Sequence, residues 1–432
     1  MSAPHGLVRI TGRSAPIDAV VEVPGSKSVA NRALVCALLA DGQSTLTGLP
    51  DGDDVTAMLE ALRSLGRVDG SGADVVVTGG SGHGPLLPQS VDCGLAGTTS
   101  RFLTAVAAVN SAPVTVDGAG PLRRRPMGDL HEALTALGAE VEAQDGGHLP
   151  VTVSQGTLRG GRVRIRGDAS SQFVSALMLI APVLPEGLVI ELSGSLVSRP
   201  YVEMTAAVMT SFGADVRVEG HEIVVAPRPY LPTEYRVEPD FSSAAFPLVA
   251  AVIAGGRVRI PGLALARLQG DARVLDLLRA MGAVVGVDGD DVVAVGEGAG
   301  SIAPIEADMA DCSDLVPAVA VALGLGAGSS RITGVGFIRA KESNRIDDLA
   351  AELSRAGYDV RNEADGLVFG GASRPRPATF QTHHDHRMAM ALSLVSLVGV
   401  DVSIDDGGVV SKSWPAFFAA MNGILRVENG HK

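Results

Sequence analysis

The chain has 432 residues, of which 46% are hydrophobic and 19% are charged. This composition is typical of folded globular proteins and excludes an extensively disordered chain, and the length favours two or three domains. The formal net charge of -13 argues against nucleic acid as a partner, because a surface that binds nucleic acid must be basic.

The start of the chain and its cysteines bear on the cellular compartment. No charged segment followed by an apolar core and a small-residue cleavage site opens the chain, and no apolar run approaches the roughly 20 residues that a membrane-spanning helix needs. Cys36, Cys93 and Cys312 are widely spaced and form no CxxC pattern, so they favour buried thiols over disulfides or a zinc site. We therefore expect a cytoplasmic protein without a membrane partner.

Two patterns recur in alternation along the chain. In the first, an apolar helix end and a glycine precede a valine-rich strand, which predicts a helix that stops at a left-handed residue. In the second, small or polar residues open a helix that is apolar on nearly every face, as in PGSKSVANRALV, and such a helix is typically buried. Together they predict six tandem units of the form βαβαββ. The six glycines are Gly66, Gly138, Gly213, Gly282, Gly357 and Gly423.

The six units divide into two groups of three near Glu238 and Pro239, after the proline-rich stretch PRPYLPTEY. Residues 24–238 make up the first three-unit domain. The remaining carboxy-terminal residues are fewer, and the two strand-like runs LVRITG and IDAVVEV before residue 24 restore the balance. We therefore predict that residues 1–23 join residues 239–432 in a discontinuous second domain, with a hinge where the chain crosses near residues 24 and 239.

Basic residues stand where helices are predicted to begin, although the amino end of a helix carries partial positive charge and favours acidic residues. A loop precedes each helix that ends in one of the six glycines, and four of the six loops are basic, namely LRRRPMGDL, SLVSRPYVE, IRAKESNRI and VVSKSWPAF. The other two, DGDDV and QGDAR, keep the usual Asp. A single such cation is commonly a solvated surface charge, but repetition at equivalent positions favours a site for an anion. The cations in or beside these positions are Lys27, Arg32, Arg101, Arg125, Arg199, Lys341, Arg345, Arg387 and Lys412.

Two carboxylates lie among these cations. Asp314 and Glu342 could accept protons from an anionic substrate. Their alternative roles are structural, as a helix cap for Asp314 and as an ion-pair partner of Arg345 for Glu342.

The segment HHDHR, residues 383–387, contains residue types that bind metals. Adjacent side chains point apart, however, and Arg387 would repel a metal cation, so we expect no metal and interpret His386 as a supporting or proton-transfer residue. GSKS resembles part of a phosphate-binding loop but lacks the required glycines, which argues against a nucleotide site.

Several segments together resemble the EPSP synthases, the 3-phosphoshikimate 1-carboxyvinyltransferase family of enolpyruvyl transferases. They follow the family's order over essentially the whole chain and are PGSKSVANRALV, GLAGT, RRRPMGDL, ASSQF, SRPY, AKESNRI, DHRMAMA and SKSWP. The resemblance implies an α/β (α+β) fold of two domains, an inside-out α/β barrel. Each domain would contain three βαβαββ repeats with inward helices, and the active site would lie in the interdomain cleft.

The resemblance also implies a reaction. The enolpyruvyl group of phosphoenolpyruvate would pass to the 5-hydroxyl of shikimate 3-phosphate through a tetrahedral intermediate, with release of phosphate. This step belongs to the shikimate pathway, which leads to chorismate and the aromatic amino acids. It needs no cofactor, and we expect a monomer whose partners are these two small molecules.

The family's site residues can be carried over motif by motif. Lys27, Asp314 and Glu342 would be catalytic, with Asp314 accepting the hydroxyl proton. Residues implied to contact shikimate 3-phosphate are Lys27, Ser28, Arg32, Ser170, Ser171, Gln172, Ser198, Asp314 and Lys341. Residues implied to contact phosphoenolpyruvate are Lys27, Gly97, Arg125, Gln172, Arg345, Arg387 and Lys412.

Some positions depart from the family pattern. Asp314 is aligned only by its spacing to Pro317, and Asp311 is a nearby competitor for the same role. Leu95 stands where family members often carry asparagine, and Phe337 where some members do, so no contact is carried over to either.

Two other functions remain alternatives. One is the related transfer to UDP-N-acetylglucosamine, but that family has Lys-Asn where this chain has Lys27 and Ser28, and its loop cysteine is poorly matched by Cys93. The other is a non-catalytic module that binds anions on the same scaffold.

Overall fold

The structure is a computed structural model that describes residues 6–80, 82, 84–144, 146–168 and 170–428. The chain divides into two compact units. We call Gly25–Glu238 the continuous unit, and Met1–Pro24 with Pro239–Lys432 the discontinuous unit. The boundary near the amino terminus lies one residue beyond the position expected from the sequence.

The strands and helices of the first half of the chain alternate as follows. The strands are β1 (Val8–Thr11), β2 (Ile17–Val20), β3 (Gly42–Thr47), β4 (Val68–Ser71), β5 (Asp74–Gly79), β6 (Ser90–Asp92), β7 (Val114–Asp117), β8 (Glu140–Gln144), β9 (His148–Ser154), β10 (Gly161–Arg166), β11 (Leu188–Ser193), β12 (Val216–Glu219), β13 (Glu222–Val225) and β14 (Glu234–Arg236). The helices are α1 (Lys27–Leu39), α2 (Asp53–Arg63), α3 (Gly97–Ala107), α4 (Gly120–Arg123), α5 (Gly128–Ala136), α6 (Ser171–Ile180) and α7 (Arg199–Ser211).

The second half continues the same alternation. Its strands are β15 (Gly256–Ile260), β16 (Val284–Asp288), β17 (Asp291–Gly296), β18 (Glu306–Asp308), β19 (Ser330–Thr333), β20 (Val360–Glu363), β21 (Gly366–Phe369), β22 (Ala378–Phe380), β23 (Val402–Ile404) and β24 (Arg426–Val427). Its helices are α8 (Phe241–Ala254), α9 (Val274–Ala280), α10 (Val316–Leu323), α11 (Asp347–Arg355), α12 (His386–Ser393) and α13 (Phe417–Ala420). Short 3-10 turns that carry charged residues are Gly270–Arg273, Ala310–Leu315, Gly336–Ala340 and Gly407–Lys412.

The strands of the described residues form four-stranded sheets with one shared pattern. The sheets of the continuous unit have the orders β14-β3-β5-β4, β6-β7-β9-β8 and β10-β11-β13-β12. In the second of them, β6 and β7 are parallel, and β9 is antiparallel to both β7 and β8. Each sheet therefore joins a parallel pair to an antiparallel hairpin, which is the arrangement that a βαβαββ unit produces.

The amino-terminal strands complete two sheets of the discontinuous unit, whose orders are β16-β17-β15-β2, β18-β19-β21-β20 and β22-β23-β1-β24. β2 runs parallel to β15, and β1 lies antiparallel between β23 and β24. Ile10 in β1 and Ile17 in β2 are buried in the core of this unit. Residues of β1 and β2 thus provide core packing for strands and helices of the last part of the chain.

One set of helices forms the core of each unit. In the continuous unit α1, α3 and α6 pack against one another, and in the discontinuous unit α10 packs against α8 and α12. Every residue of α3, α8, α10 and α12 is buried, as the apolar pattern on all faces predicts. The α/β fold built from repeated βα units is therefore confirmed.

Smaller expectations from the sequence have different outcomes. Five of the six helix-ending glycines have a positive φ, but Gly423 does not, so the prediction was wrong for the last unit. All three cysteines are buried and free, and burial raises the pKa of each thiol to about 12. No helix in the described ranges combines the length and the apolar character needed to span a bilayer.

Candidate active site

In the discontinuous unit, several helix beginnings bring charged residues of distant sequence together. Asp314 lies in the 3-10 turn that leads into α10, and Arg387 lies in the first turn of α12. Lys341, Glu342 and Arg345 come from the segment that leads into α11, and Lys412 ends another 3-10 turn. We call this group, together with Asp385, the ion-pair cluster.

Arg345 is the centre of the ion-pair cluster. Its Nε and Nη2 donate to the two carboxylate oxygens of Asp385 at 2.7 and 3.2 Å. Its Nη1 donates to Asp314 at 2.8 Å, and Nη2 also donates to Glu342 at 2.9 Å. Burial alone would lower the pKa of Arg345, but the three carboxylates outweigh it and raise this pKa. The guanidinium is therefore charged and orients three carboxylates at once.

Asp314 is held by cations on both of its oxygens. Oδ1 lies 2.8 Å from Arg345 Nη1 and 3.5 Å from Lys341 Nζ, and Oδ2 lies 3.0 Å from Arg387 Nη2. Burial by itself raises the pKa of Asp314, but the charges of Arg387, Lys341 and Arg345 hold it well below its usual range. Asp314 is thus ionised and able to accept a proton or a hydrogen bond.

The alternatives for Asp314 and Glu342 have different outcomes. The cap residue of α10 is Leu315 and no side chain caps this helix, so the structure does not use Asp314 as a helix cap. Asp311, the competitor for the role of Asp314, is exposed, whereas Asp314 is held by the three ion pairs described above. Glu342 does pair with Arg345, as its structural alternative required, and its other oxygen lies 3.5 Å from Lys412 Nζ.

Asp385 explains the segment that suggested a metal site. Its carboxylate is fully buried, accepts from the backbone N–H of Arg387 at 2.9 Å and so caps α12, while also binding Arg345. His386 Nδ1 lies 3.6 Å from Asp385 Oδ1. Among the described residues, no group of three His, Cys, Asp or Glu side chains could hold a metal ion.

In the continuous unit, Lys27 begins α1 and no acidic residue lies in the first turn of that helix. Its Nζ lies 2.8 Å from Oδ2 of Asp54, which is almost fully buried in the first turn of α2. The backbone carbonyl of Asp54 accepts a hydrogen bond from Thr99 Oγ1 at 2.6 Å, so α2 and α3 are also joined here. Asp54 therefore fixes the position of Lys27 through a charge-assisted hydrogen bond.

Gly97 opens α3 and makes room for two guanidinium groups. A β carbon at this position would lie 2.4 Å from Arg125 Nη1 and 2.7 Å from Arg101 Nη1, closer than any real contact. Arg101 Nη1 also donates to the carbonyl of Gly97 at 2.6 Å. Only glycine allows both cations to approach the start of α3 in this way.

Polar side chains surround the starts of α6 and α7. Ser170 caps α6 by accepting from the backbone N–H of Gln172 at 3.2 Å, and Gln172 Nε2 donates to Thr98 Oγ1 at 3.2 Å. Ser171 is buried beside Ser170. Ser198 precedes α7 in the left-handed conformation, with φ 53° and ψ 45°, which is uncommon for a residue other than glycine and often occurs at functional sites.

Arg32, another expected site residue, connects the start of α1 to α6 and α7. Its guanidinium is buried in the helix layer, where it donates to Thr205, Ser175 and the carbonyl of Ser28. It also lies 5.2 Å from the centre of the Phe102 ring, and burial lowers its pKa to about 10. The hydrogen bond to the Ser28 carbonyl connects Arg32 to the start of α1.

Arg199 follows the ordinary interpretation of a cation at a helix start. It is partly exposed and pairs with Glu203 one turn along α7, at 2.8 Å. Such a pair is typical of a solvated helix surface and contributes little to stability.

The family model described as EPSP synthase (3-phosphoshikimate 1-carboxyvinyltransferase) matches residues 12–421. The chain belongs to the EPSP synthase family. A relative named 3-phosphoshikimate 1-carboxyvinyltransferase from Burkholderia ambifaria is 38% identical over 410 residues, which cover 92% of this chain and 94% of the relative. The enzyme of that name from Paraburkholderia phymatum has the same identity and coverage.

Solved structures support the EPSP synthase fold. The EPSP synthase from Acinetobacter baumannii aligns with a TM-score of 0.80 at 24% identity, covering 98% of this chain and 100% of that one. The enolpyruvyl transferase NikO from Streptomyces tendae aligns with a TM-score of 0.75 at 17% identity, covering 99% and 100%. The family model and the 38% identical relatives confirm the family expected from the sequence motifs, and these structures support its fold.

Two charged residues of this EPSP synthase family member were not identified as site residues from the sequence. Asp54 looked like an ordinary acidic residue at a helix start, and Asp385 looked like part of a metal motif. A usable signal existed for Asp54, because DGDDV is one of only two acidic loops in a series of otherwise basic ones. Asp385 gave no comparable signal, since its partner Arg345 is 40 residues away.

Proposed function

We propose that this chain transfers the enolpyruvyl group of phosphoenolpyruvate to the 5-hydroxyl of shikimate 3-phosphate by addition and elimination, releasing phosphate. The observation that supports this proposal is the ion-pair cluster, in which the carboxylates Asp314 and Glu342 are held among Lys341, Arg345, Arg387 and Lys412. The reaction requires proton acceptors next to cations that bind phosphate groups. The carboxylates and the cations of the ion-pair cluster provide these two kinds of group.

In the addition step, Asp314 accepts the proton of the attacking hydroxyl. Before substrates bind, the charges of Arg387, Lys341 and Arg345 keep the pKa of Asp314 low, so the carboxylate is a weak base. Negative substrates draw on the same cations, and this competition raises the basicity of Asp314 when the substrates are bound. The basicity is thus greatest in the complex, where it accelerates the reaction.

The other proton moves to C3 of the enolpyruvyl group in the addition step and leaves it in the elimination step. Lys27 and Glu342 are the proposed acid and base for these transfers. Asp54 holds Lys27 at 2.8 Å, while Arg345 and Lys412 hold Glu342 at 2.9 and 3.5 Å. Both groups are therefore oriented by partners before the substrates bind.

The cations of both units are proposed to serve this one reaction. Charged residues and the backbone of Gly97 would bind phosphoenolpyruvate, and hydroxyl and amide side chains would bind shikimate 3-phosphate. The proposed phosphoenolpyruvate residues are Lys27, Gly97, Arg125, Gln172, Arg345, Arg387 and Lys412. The proposed shikimate 3-phosphate residues are Lys27, Ser28, Ser170, Ser171, Gln172, Ser198, Asp314 and Lys341.

Arg32 is also proposed to belong to the shikimate 3-phosphate site, as the family resemblance implies. Its guanidinium hydrogen bonds to Thr205, Ser175 and Ser28 within the helix layer support a positioning role, in which it holds the backbone at Ser28. We also propose that the protein acts as a cytoplasmic monomer and needs only the two small-molecule substrates.

A phosphate-release assay tests the proposed function. Phosphate should be released from phosphoenolpyruvate when shikimate 3-phosphate is the acceptor. Release only with UDP-N-acetylglucosamine would instead assign the related transferase activity. Binding of both substrates without release, measured by calorimetry, would identify a non-catalytic anion-binding protein.

A further inference from the structure

Asp271 is a buried carboxyl group that the mechanism above does not use. It lies in the 3-10 turn Gly270–Arg273 and is 3% exposed. Its Oδ2 accepts a hydrogen bond from Ser242 Oγ in the first turn of α8. Its Oδ1 is also buried and has no hydrogen-bond partner among the residues that the structure describes. A carboxylate in such a position would be poorly solvated, whereas a neutral acid is tolerated.

The surroundings of Asp271 connect it to the ion-pair cluster. The turn Gly270–Arg273 packs against α8 and against the turn Ala310–Leu315, which carries Asp314. The charged and titratable groups that act on Asp271 or are acted on by it are Asp314, Arg387, Asp240 and Cys312. The Cys312 thiol is neutral over the working pH range, because burial raises its pKa to about 12.

The charge of Arg387 acts on both Asp271 and Asp314, yet these two carboxyl groups have opposite properties. Burial, followed by repulsion from the Asp314 carboxylate, raises the pKa of Asp271 to about 7, although Arg387 and the Ser242 hydrogen bond act in the other direction. Asp314, in contrast, is kept ionised by its cations. Environments that separate two carboxyl groups in this way commonly give them different chemical roles.

We propose that Asp271 is a positioning residue that carries a proton while phosphoenolpyruvate binds. Asp314 then supplies the negative charge that is paired with Arg387, and the arginine still attracts the anionic substrate. When Asp271 loses its proton, a second negative charge acts on Arg387 and substrate binding weakens. Asp271 does not touch the reacting atoms in this scheme and acts through Arg387. The inference rests on the proposed function, because phosphoenolpyruvate is the anion expected there.

The pH dependence of phosphoenolpyruvate binding tests this inference. Between pH 6 and pH 8.5, KM for phosphoenolpyruvate should rise more in the wild type than in Asp271→Asn, by about tenfold for each pKa unit by which the bound substrate raises the pKa of Asp271. Asn resembles the neutral acid and cannot ionise. Both proteins share the ionisation of the substrate itself, so the comparison removes that contribution.

Two further variants separate this effect from a structural one. Ser242→Ala removes the hydrogen bond that lowers the pKa of Asp271, so the rise in KM should move to higher pH rather than disappear. Asp276→Asn is the matched control, because Asp276 is exposed on α9 and pairs only at the surface with Arg279. Its profile should coincide with that of the wild type.

Parallel profiles for the wild type and Asp271→Asn would overturn the inference, as would a Ser242→Ala profile that does not shift. If Asp271→Asn fails to fold, the Ser242→Ala shift alone decides the matter. Absence of turnover in the wild type would reject the proposed function instead. In that case, calorimetric binding of phosphoenolpyruvate or inorganic phosphate at the same pH values still compares the variants.

Discussion

Arg345 shows how one residue determines the state of several others. Its guanidinium contacts Asp385, Asp314 and Glu342, and each of these carboxylates is oriented by a bond of 2.7 to 2.9 Å. Burying one charge so completely is unfavourable unless all its donors are used, and here the carboxylates supply the acceptors. The same contacts leave Asp314 ionised and hold both Asp314 and Glu342 close to further cations, which is the condition that proton transfer needs.

At the residue scale we expect Asp314→Ala and Glu342→Ala each to reduce turnover by roughly 10² to 10⁴, the usual contribution of a general acid or base. Substrate binding should persist, because removal of a carboxylate frees cations for the anionic substrates. Steady-state phosphate release and calorimetry measure the two effects separately. Asp311→Ala is the matched control, since Asp311 is exposed, and it should retain normal turnover. Near-normal turnover in either site variant would remove that residue from the mechanism.

At the scale of elements, strands approach buried helices so closely that only glycine fits at the contact. A β carbon on Gly79, the last residue of β5, would lie 2.1 Å from the carbonyl oxygen of Ala37 in α1. A β carbon on Gly296, the last residue of β17, would lie 2.5 Å from the carbonyl oxygen of Ala251 in α8. The same close contact thus occurs in both units, and it brings the hairpin of a sheet against the helix layer.

These contacts predict that Gly79→Ala and Gly296→Ala each lower the free energy of unfolding by about 1–3 kcal/mol, because the neighbouring atoms are backbone and cannot rotate away. Urea denaturation measures the change. Gly286→Ala in β16 is the control, since a β carbon there meets nothing within 4 Å. An unchanged stability for Gly79→Ala would show that the strand can move away from α1 without cost.

At the scale of the whole molecule, the chain leaves one unit and returns to it. β1 and β2 belong to the discontinuous unit, although the complete continuous unit follows them in sequence. Ile10 and Ile17 are buried against residues that come more than 200 positions later. The stability of this unit therefore depends on residues at both ends of the chain.

We expect Ile10→Ala to destabilise the discontinuous unit by about 2–5 kcal/mol, the usual cost of removing a buried aliphatic side chain. Hydrogen exchange at low urea should show faster exchange in β23 and β24, with β3 to β5 unchanged. Leu46→Ala in β3, which is equally buried, is the matched variant and should affect the continuous unit instead. Equal loss of protection in both units from Ile10→Ala would show that they unfold together.

The sequence by itself determined the repeat, the buried helices and the family. Apolar periodicity and helix-ending glycines are local signals, and six copies reinforce one another. The basic helix starts were also visible locally, because they violate a rule that concerns only a few neighbouring residues. Lys27 at the start of α1 is an example, since the helix begins at the residue that the pattern indicated.

Only the tertiary structure decided which of these charges meet. Arg32 and Lys27 lie on the same helix, yet Arg32 points into hydrogen bonds with Thr205 and Ser175, more than 140 positions away. Asp314 and Asp311 are three residues apart, but only Asp314 reaches Arg345 and Arg387. Charge pairing depends on distances between segments that are remote in sequence, and no local pattern contains those distances. For the same reason Asp385 became recognisable only once its partner was known, whereas Asp54 and Asp271 lie in the two acidic loops that already stood out in the sequence.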